Sequence, residues 1–222
     1  ICNHFQRPCY NVLTGFKYIA EKIRLWEANP QGPQYLFGGE ESFGYLMGSV
    51  VRDKDGISSS ALICEAALHA KLQGKTLVDC LEDLFRTYGV YQEALLSFHF
   101  GETKTGKEQM QHAMSSLRFK IPEQIAKIPV VSVEDCLISQ KKDLLSGKST
   151  PSEFPISDVL LFWLKDGSKI LIRPSGTEPK VKIYCAAVKP FIDTLSQTET
   201  SCQEHCRTLL QAAEQLLKTP KN

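Results

Sequence analysis

A chain of 222 residues, 42% apolar and 23% charged, has material for one large or two ordinary cored domains of a soluble globular protein. Its formal net charge of +1 excludes a strongly basic nucleic-acid binder, so any positive patch is local. No apolar run approaches the ~18 residues of a membrane span. The eight cysteines are scattered without a C-x-x-C pair, which reads as free thiols in a reducing, cytoplasmic setting. Cys202, His205 and Cys206 lack a second ligand pair at zinc spacing and read as helix residues. There is no signal peptide, and a first residue Ile1 rather than Met reads as a piece of a longer chain.

In chain order, Leu13, Phe16, Ile19, Ala20, Ile23 and Trp26 recur at helical spacing, and Asn29-Pro30 ends the run. Tyr35-Leu-Phe37 reads as a short buried strand leading into the loop Gly38–Gly44. Tyr45 to Val51 is apolar again, Arg52–Gly56 is a turn, and Ser58 is placed to cap a helix over 59–72 that packs through Leu62 and Ala66. A second helix follows over 76–88, after Gly74. This material fits the later half of an α/β layer domain. The pattern changes at Tyr88-Gly89, giving domains 1–89 and 90–222. In the second, strands are expected over 90–100, 130–133, 159–164, 169–172 and 181–188, with helices over 107–117 and 202–217. Asp166-Gly167 marks a hairpin, and the Lys- and Ser-rich stretch 140–153 reads as a surface excursion. Strands with two helices predict a small α+β domain whose helices cover one face of an antiparallel sheet.

Two loops carry chemistry. Between the last two strand patterns lies Ile172-Arg-Pro-Ser-Gly-Thr-Glu-Pro-Lys-Val-Lys-Ile183. Arg173 can meet a phosphate as a bidentate fork, Ser175 and Thr177 offer hydroxyl donors, and Gly176 lets the backbone present bare amides. Lys180 and Lys182 alternate onto one side of the returning strand. Each charge-assisted bond in such a site is worth roughly 1.5–3 kcal/mol. Pro, Ser and Gly alone describe an ordinary hairpin turn; Arg173 and the lysines tip the reading towards a phosphate monoester. In the other loop, Glu40, Glu41 and Ser42 lie between glycines, where carboxylates can accept bonds from sugar hydroxyls, and where a solvated acidic turn is the plainer alternative. Consecutive carboxylates diverge, which argues against a glycosidase pair. Arg52-Asp-Lys-Asp-Gly56 fails the EF-hand frame, since the twelfth position from Asp53 is Cys64. It reads as a turn in which Lys54 can contact an anion. The sequence has no P-loop, no G-x-G-x-x-G, no H-E-x-x-H and no G-x-S-x-G.

Together, Gly39-Glu-Glu-Ser-Phe-Gly44, Arg52-Asp-Lys-Asp-Gly56, Arg173-Pro-Ser-Gly-Thr-Glu-Pro-Lys180 and Thr14-Gly-Phe-Lys17 resemble the α-D-phosphohexomutase family, in its phosphoglucomutase-like branch. The resemblance implies the later part of a third, sugar-binding domain followed by a fourth, TBP-like one. Glu40 and Ser42 would hold sugar hydroxyls, with Thr14 and Lys54 lining the same cleft. Arg173, Ser175, Gly176 and Thr177 would grip the phosphate that is not being transferred, joined by Lys182 where relatives often carry Arg. The full enzyme would interconvert glucose 1-phosphate and glucose 6-phosphate through a phosphoserine and a glucose 1,6-bisphosphate intermediate. That serine and the Mg2+ ligands would lie in missing N-terminal domains, leaving no catalytic or metal residue here and a chain inactive by itself. Glu41 points to glucose phosphate over the alternatives, a phosphomannomutase or phosphopentomutase of the same family. A non-catalytic anion-binding module is the reading from a different class. The shared expectation is a small-molecule sugar-phosphate ligand, with neither nucleic acid nor membrane as partner.

Overall fold

The structure, a computed structural model, describes residues 1–40 and 43–218. It divides into two compact units, Ile1–Asp83 and Leu84–Asn222. The first has α/β character and the second is α+β. No helix among the described residues is long and apolar enough to cross a membrane.

In the first unit, helix α1 (Phe16–Glu27) carries its apolar positions on one face, and Phe16, Ile19 and Ile23 are buried there. They meet Leu46 of a two-stranded antiparallel hairpin, β1 (Phe37–Glu40) and β2 (Gly44–Met47). The first strand therefore starts at Phe37 rather than running over 35–37, and it takes in half of the expected glycine loop. Phe37 is exposed, because this hairpin has no second layer over its outer face in the described unit. Helix α2 (Gly56–Leu72) is capped by Asp55, whose carboxylate accepts from the Ile57 amide at 2.9 Å. The cap thus falls three residues before the expected Ser58. Ala66 is exposed and Leu62 half-buried, so the expected packing face of this helix is largely open. Gly74 takes a positive φ of 70° between α2 and helix α3 (Leu77–Tyr88), within which the unit boundary falls.

The second unit is built on an antiparallel sheet in the order β3 (Val90–His99), β10 (Lys180–Lys189), β9 (Lys169–Pro174), β8 (Leu160–Leu164), β5 (Ile128–Asp135), β6 (Gln140–Asp143), β7 (Ser149–Pro151), with β4 (Gln124–Ile125) beside β5. On β10, Val181, Ile183, Cys185 and Ala187 alternate with half-buried residues, the period-two signature of a sheet covered on one face. That face receives α4 (Lys104–Phe119) through Met110, Ala113, Met114 and Leu117. Beside it lies α5 (Leu195–Lys218), through Cys202, Cys206, Leu209, Leu210, Ala213 and Leu217. Cys202 and Cys206 are therefore core residues. His205 instead pairs with Asp166 at 2.7 Å in the β8–β9 turn, where Gly167 has φ 89°.

The stretch 140–153, expected as a surface excursion, forms the edge hairpin β6–β7. Asp143 organises its turn by accepting from the Leu145 and Ser146 amides at 2.9 and 2.7 Å. Burial pushes the Cys136 thiol up to about 11 and raises those of Cys185, Cys202 and Cys206, which keeps these sulfurs protonated and unreactive.

Candidate functional site

Each unit carries one group of the expected residues. In the second, the β9–β10 hairpin pairs Arg173 directly with Lys182, and Lys182 in turn with Ser97 of β3. Because directly paired residues share a face, Arg173, Lys182 and Ser97 form a row on the sheet surface opposite the helices. Arg173 is exposed and Lys182 half-buried. One step along, Lys180 pairs with His99 on the same face, and its ammonium contacts the Glu178 carboxylate. That hydrogen bond, then the Lys180 charge, holds the Glu178 carboxyl below its usual range, with smaller contributions from His99 and Lys182.

The turn between the strands is held by its own polar groups. The Ser175 hydroxyl accepts from the Thr177 and Glu178 amides at 3.4 and 3.3 Å and lies 3.5 Å from the Thr177 hydroxyl. The Ser175 amide donates to the Lys180 carbonyl at 2.8 Å. Gly176 has no positive φ, and a Cβ there would meet nothing within 4 Å, so this glycine leaves open space rather than answering a strained backbone. The result is an exposed turn with a guanidinium, an ammonium and two hydroxyls around it. This donor set can meet the oxygens of a phosphate ester, and the turn's one carboxylate, Glu178, is already engaged by Lys180.

Beside the turn lies a cleft of about 610 Å³ lined by His99, Gly101, Glu102, Thr103, Lys104, Lys107, Thr177, Glu178 and Pro179. Its second wall, the start of α4, escaped sequence reasoning, which placed that helix three residues later. The signal was Thr103, whose hydroxyl accepts from the Gly106 amide at 3.1 Å as an N-cap. Gly106 allows the approach: a Cβ there would collide with the carbonyl oxygens of Phe100 and Gly101. The end of β3 is tied to the turn by the Phe100 amide, which donates to the Pro179 carbonyl at 2.9 Å.

In the first unit, Glu40 ends β1 with its side chain 13% exposed, and the Lys54 ammonium lies 3.9 Å away. Lys54 also bonds Asp53 at 3.2 Å and sits 5.8 Å from the Phe16 ring centre. Gly44 makes this possible, since a Cβ there would come within 2.7 Å of the Glu40 carboxylate and 2.8 Å of the Lys54 chain. Thr14 is exposed just before Gly15, which precedes α1 with φ 122°. Glu41 and Ser42 lie outside the described residues. Next to Thr14 along the chain, Lys17 lines a groove of about 490 Å³ with Tyr18, Glu21, Arg24 and Arg52. Arg52 is engaged there by Glu27 at 2.6 Å. Among the described residues no group of three or more His, Cys, Asp or Glu side chains is placed to hold a metal ion.

Residues 1–88 match the family model described as phosphoglucomutase/phosphomannomutase, alpha/beta/alpha domain III. Over 186 residues the chain is 36% identical to a phosphoglucomutase of Staphylococcus epidermidis, which covers 84% of this chain and 33% of that relative. A phosphoglucomutase of Staphylococcus aureus is 37% identical over 186 residues, with the same 84% and 33% shares. The chain therefore spans one third of the length of the curated relatives it matches. Among solved structures, the exocytosis-sensitive phosphoprotein pp63/parafusin (phosphoglucomutase) from Paramecium, in its open form, superposes with a TM-score of 0.57 at 18% identity, over 94% of this chain and 34% of that one. This is a likeness of fold.

Proposed function

We propose, from the premise that this chain belongs to the phosphoglucomutase/phosphomannomutase family, that it is the sugar- and phosphate-binding part of a cytoplasmic phosphoglucomutase. The reaction is the interconversion of glucose 1-phosphate and glucose 6-phosphate through a phosphoserine and a glucose 1,6-bisphosphate intermediate. The observation that carries the reading is the open turn with the directly paired Arg173 and Lys182. A phosphoryl transfer of this kind depends on position and charge more than on covalent work by the protein, and positioning is what the turn can do. Arg173 and Lys182 neutralise the phosphate that stays on the sugar. Ser175, whose oxygen is spent on holding the turn, keeps its proton free to donate, and Thr177 donates beside it. In the first unit, Glu40 accepts from a sugar hydroxyl, while Lys54 and Thr14 line the approach and Ser42 adds a donor.

On this reading the phosphorylated serine and the Mg2+ ligands belong to the remaining part of such an enzyme. Accordingly, the chain alone binds but does not turn over. The family description covers phosphomannomutases as well, which favours a mannose phosphate as the second candidate. Calorimetry with glucose 6-phosphate tests the reading: Arg173→Ala should weaken binding by about 10- to 100-fold, the equivalent of one charge-assisted bond. Equal affinity in wild type and Arg173→Ala, or mutase turnover by the 222-residue chain alone, would overturn it.

A further inference from the structure

We propose that the cleft between the start of α4 and the phosphate turn is a second phosphate-binding subsite, held by Lys104, Lys107 and His99 and distinct from the Arg173 grip. The cleft has two faces from different parts of the chain: His99 from β3, with Lys104 and Lys107 from α4, and Thr177 to Pro179 from the β9–β10 turn. Lys104 and Lys107 are three apart on a helix and project to one side. Neither forms an ion pair among the described residues, in contrast to Lys54, Lys75, Lys180 and Lys218, which all meet carboxylates. The two acids in the lining are Glu102 and Glu178, and Glu178 is already committed to Lys180. The cleft is therefore left with more positive than negative charge, in a chain whose overall balance is only +1. A net positive balance in a concave site raises the local concentration of a small anion.

The case does not rest on the amides of the helix end, one of which the Thr103 hydroxyl already satisfies. It rests on Lys104, Lys107 and His99 lining, together with Thr177, one cleft of about 610 Å³. That space is larger than one phosphate needs, so the ligand class is a phosphorylated metabolite whose phosphate meets the lysines. The subsite stands whether or not the chain serves a mutase.

The test is a titration of the 15N-labelled 222-residue chain with inorganic phosphate at constant ionic strength, following amide shifts. Two groups of amides, 99–107 and those of 172, 173, 182 and 183 on the paired strands, should move with separate midpoints, while 177–180, which borders both, follows both. The double substitution K104Q/K107Q should raise the midpoint of the first group about tenfold and leave the second within about twofold. Arg173→Ala should do the reverse. Both lysines are exposed, so the double variant keeps its fold, and an unchanged amide spectrum without phosphate checks this. Silent 99–107 amides, an unshifted midpoint in K104Q/K107Q, or one common midpoint lost entirely in Arg173→Ala would each overturn the second subsite. If Arg173→Ala instead leaves the midpoint of the paired-strand amides unmoved while K104Q/K107Q abolishes the first group, the phosphate-turn reading fails and the cleft survives.

Discussion

The two units solve the burial problem to very different extents. The second encloses a continuous core from β3 to α5, with Phe162, Ile170, Ile172, Val181 and Ile183 fully buried. The first has a core of Phe16, Ile19, Ile23 and Leu46, with Val12 and Tyr35 against it. Its helix α2 meanwhile leaves Ile57 85%, Ile63 53%, Leu68 57% and Leu72 78% exposed. A helix apolar on most sides is ordinarily a buried one. The contrast teaches where stability resides within this chain: the β9–β10 turn is mounted on a finished sheet, and the Glu40 hairpin on a four-residue cluster.

The widest gap between the units should appear in core substitutions. Phe162→Ala removes a fully buried ring and should cost about 3–5 kcal/mol, whereas Leu72→Ser on the open face of α2 should change stability by no more than about 0.5 kcal/mol. Urea unfolding of the 222-residue chain measures both. A Leu72→Ser penalty matching that of Phe162→Ala would mean that α2 is packed after all, and the contrast would vanish.

A smaller effect within the second unit should come from Arg118 of α4. Its guanidinium bonds Asp135 at 3.1 Å and also contacts Asp158, and its side chain is only 17% exposed. Asp135 accepts from the Leu137 amide as well, at 3.0 Å. Arg118→Met keeps the aliphatic packing but leaves Asp135, 8% exposed, short of a partner, at about 1–3 kcal/mol. The double variant R118M/D135N should recover part of that loss, and a double variant no better than the single one would rule out the pairing as the cause.

How much of this the sequence disclosed follows the same division. Strands β9 and β10 were readable because one face of each is apolar, β8 because it is apolar throughout, and Asp166-Gly167 punctuates β8 and β9. The turn at 173–180 was readable as a hairpin between two strands, as the structure has it. The β6–β7 hairpin was not: its residues are exposed or half-buried on both sides, so no alternation betrays an edge strand, and what holds it is Asp143 bonding its own turn. On α2, hydrophobicity predicted packing through Leu62 and Ala66, but apolar residues mark a face that needs a partner and do not supply one. Ser58 looked like the cap, yet the β-conformation and local bond of Asp55 took that place. The wall formed by Lys104 and Lys107 was missed because the expected helix starts at Lys107, past the N-cap Thr103, and because its opposite side comes from the distant β9–β10 turn.

In the first unit, the role of Gly44 can be sharpened without disturbing any core. Gly44→Ala places a methyl group against the ends of Glu40 and Lys54, which are flexible enough to swing aside. Stability should stay within about 0.5 kcal/mol. Binding of a sugar phosphate through the Glu40 hairpin should fall several-fold, as calorimetry with glucose 6-phosphate can read. Gly176→Ala in the second unit meets open space and should keep the fold as well, so a loss of phosphate binding there would report a ligand that needs that space.

The smallest expected effect concerns the ion pairs beside the two candidate loops, Lys54 with Glu40 at 3.9 Å and the closer contact of Lys180 with Glu178. Lys180 holds the Glu178 carboxyl below its usual range, first by hydrogen bond and then by charge. A depressed folded value means that the contribution of Glu178 is complete above the ordinary carboxylate range and is lost as pH falls through the lowered value. Because Glu178 lies in water, salt screens the interaction and the stability change should be slight. The side-chain carboxyl resonance should nevertheless titrate below the usual range in the wild-type chain and return upwards in Lys180→Met. An unchanged midpoint in that variant would mean that the lysine does not pin the carboxylate. Glu178 would then be free to repel a phosphate approaching Arg173, and the turn would lose the feature that makes its open side uniformly donating.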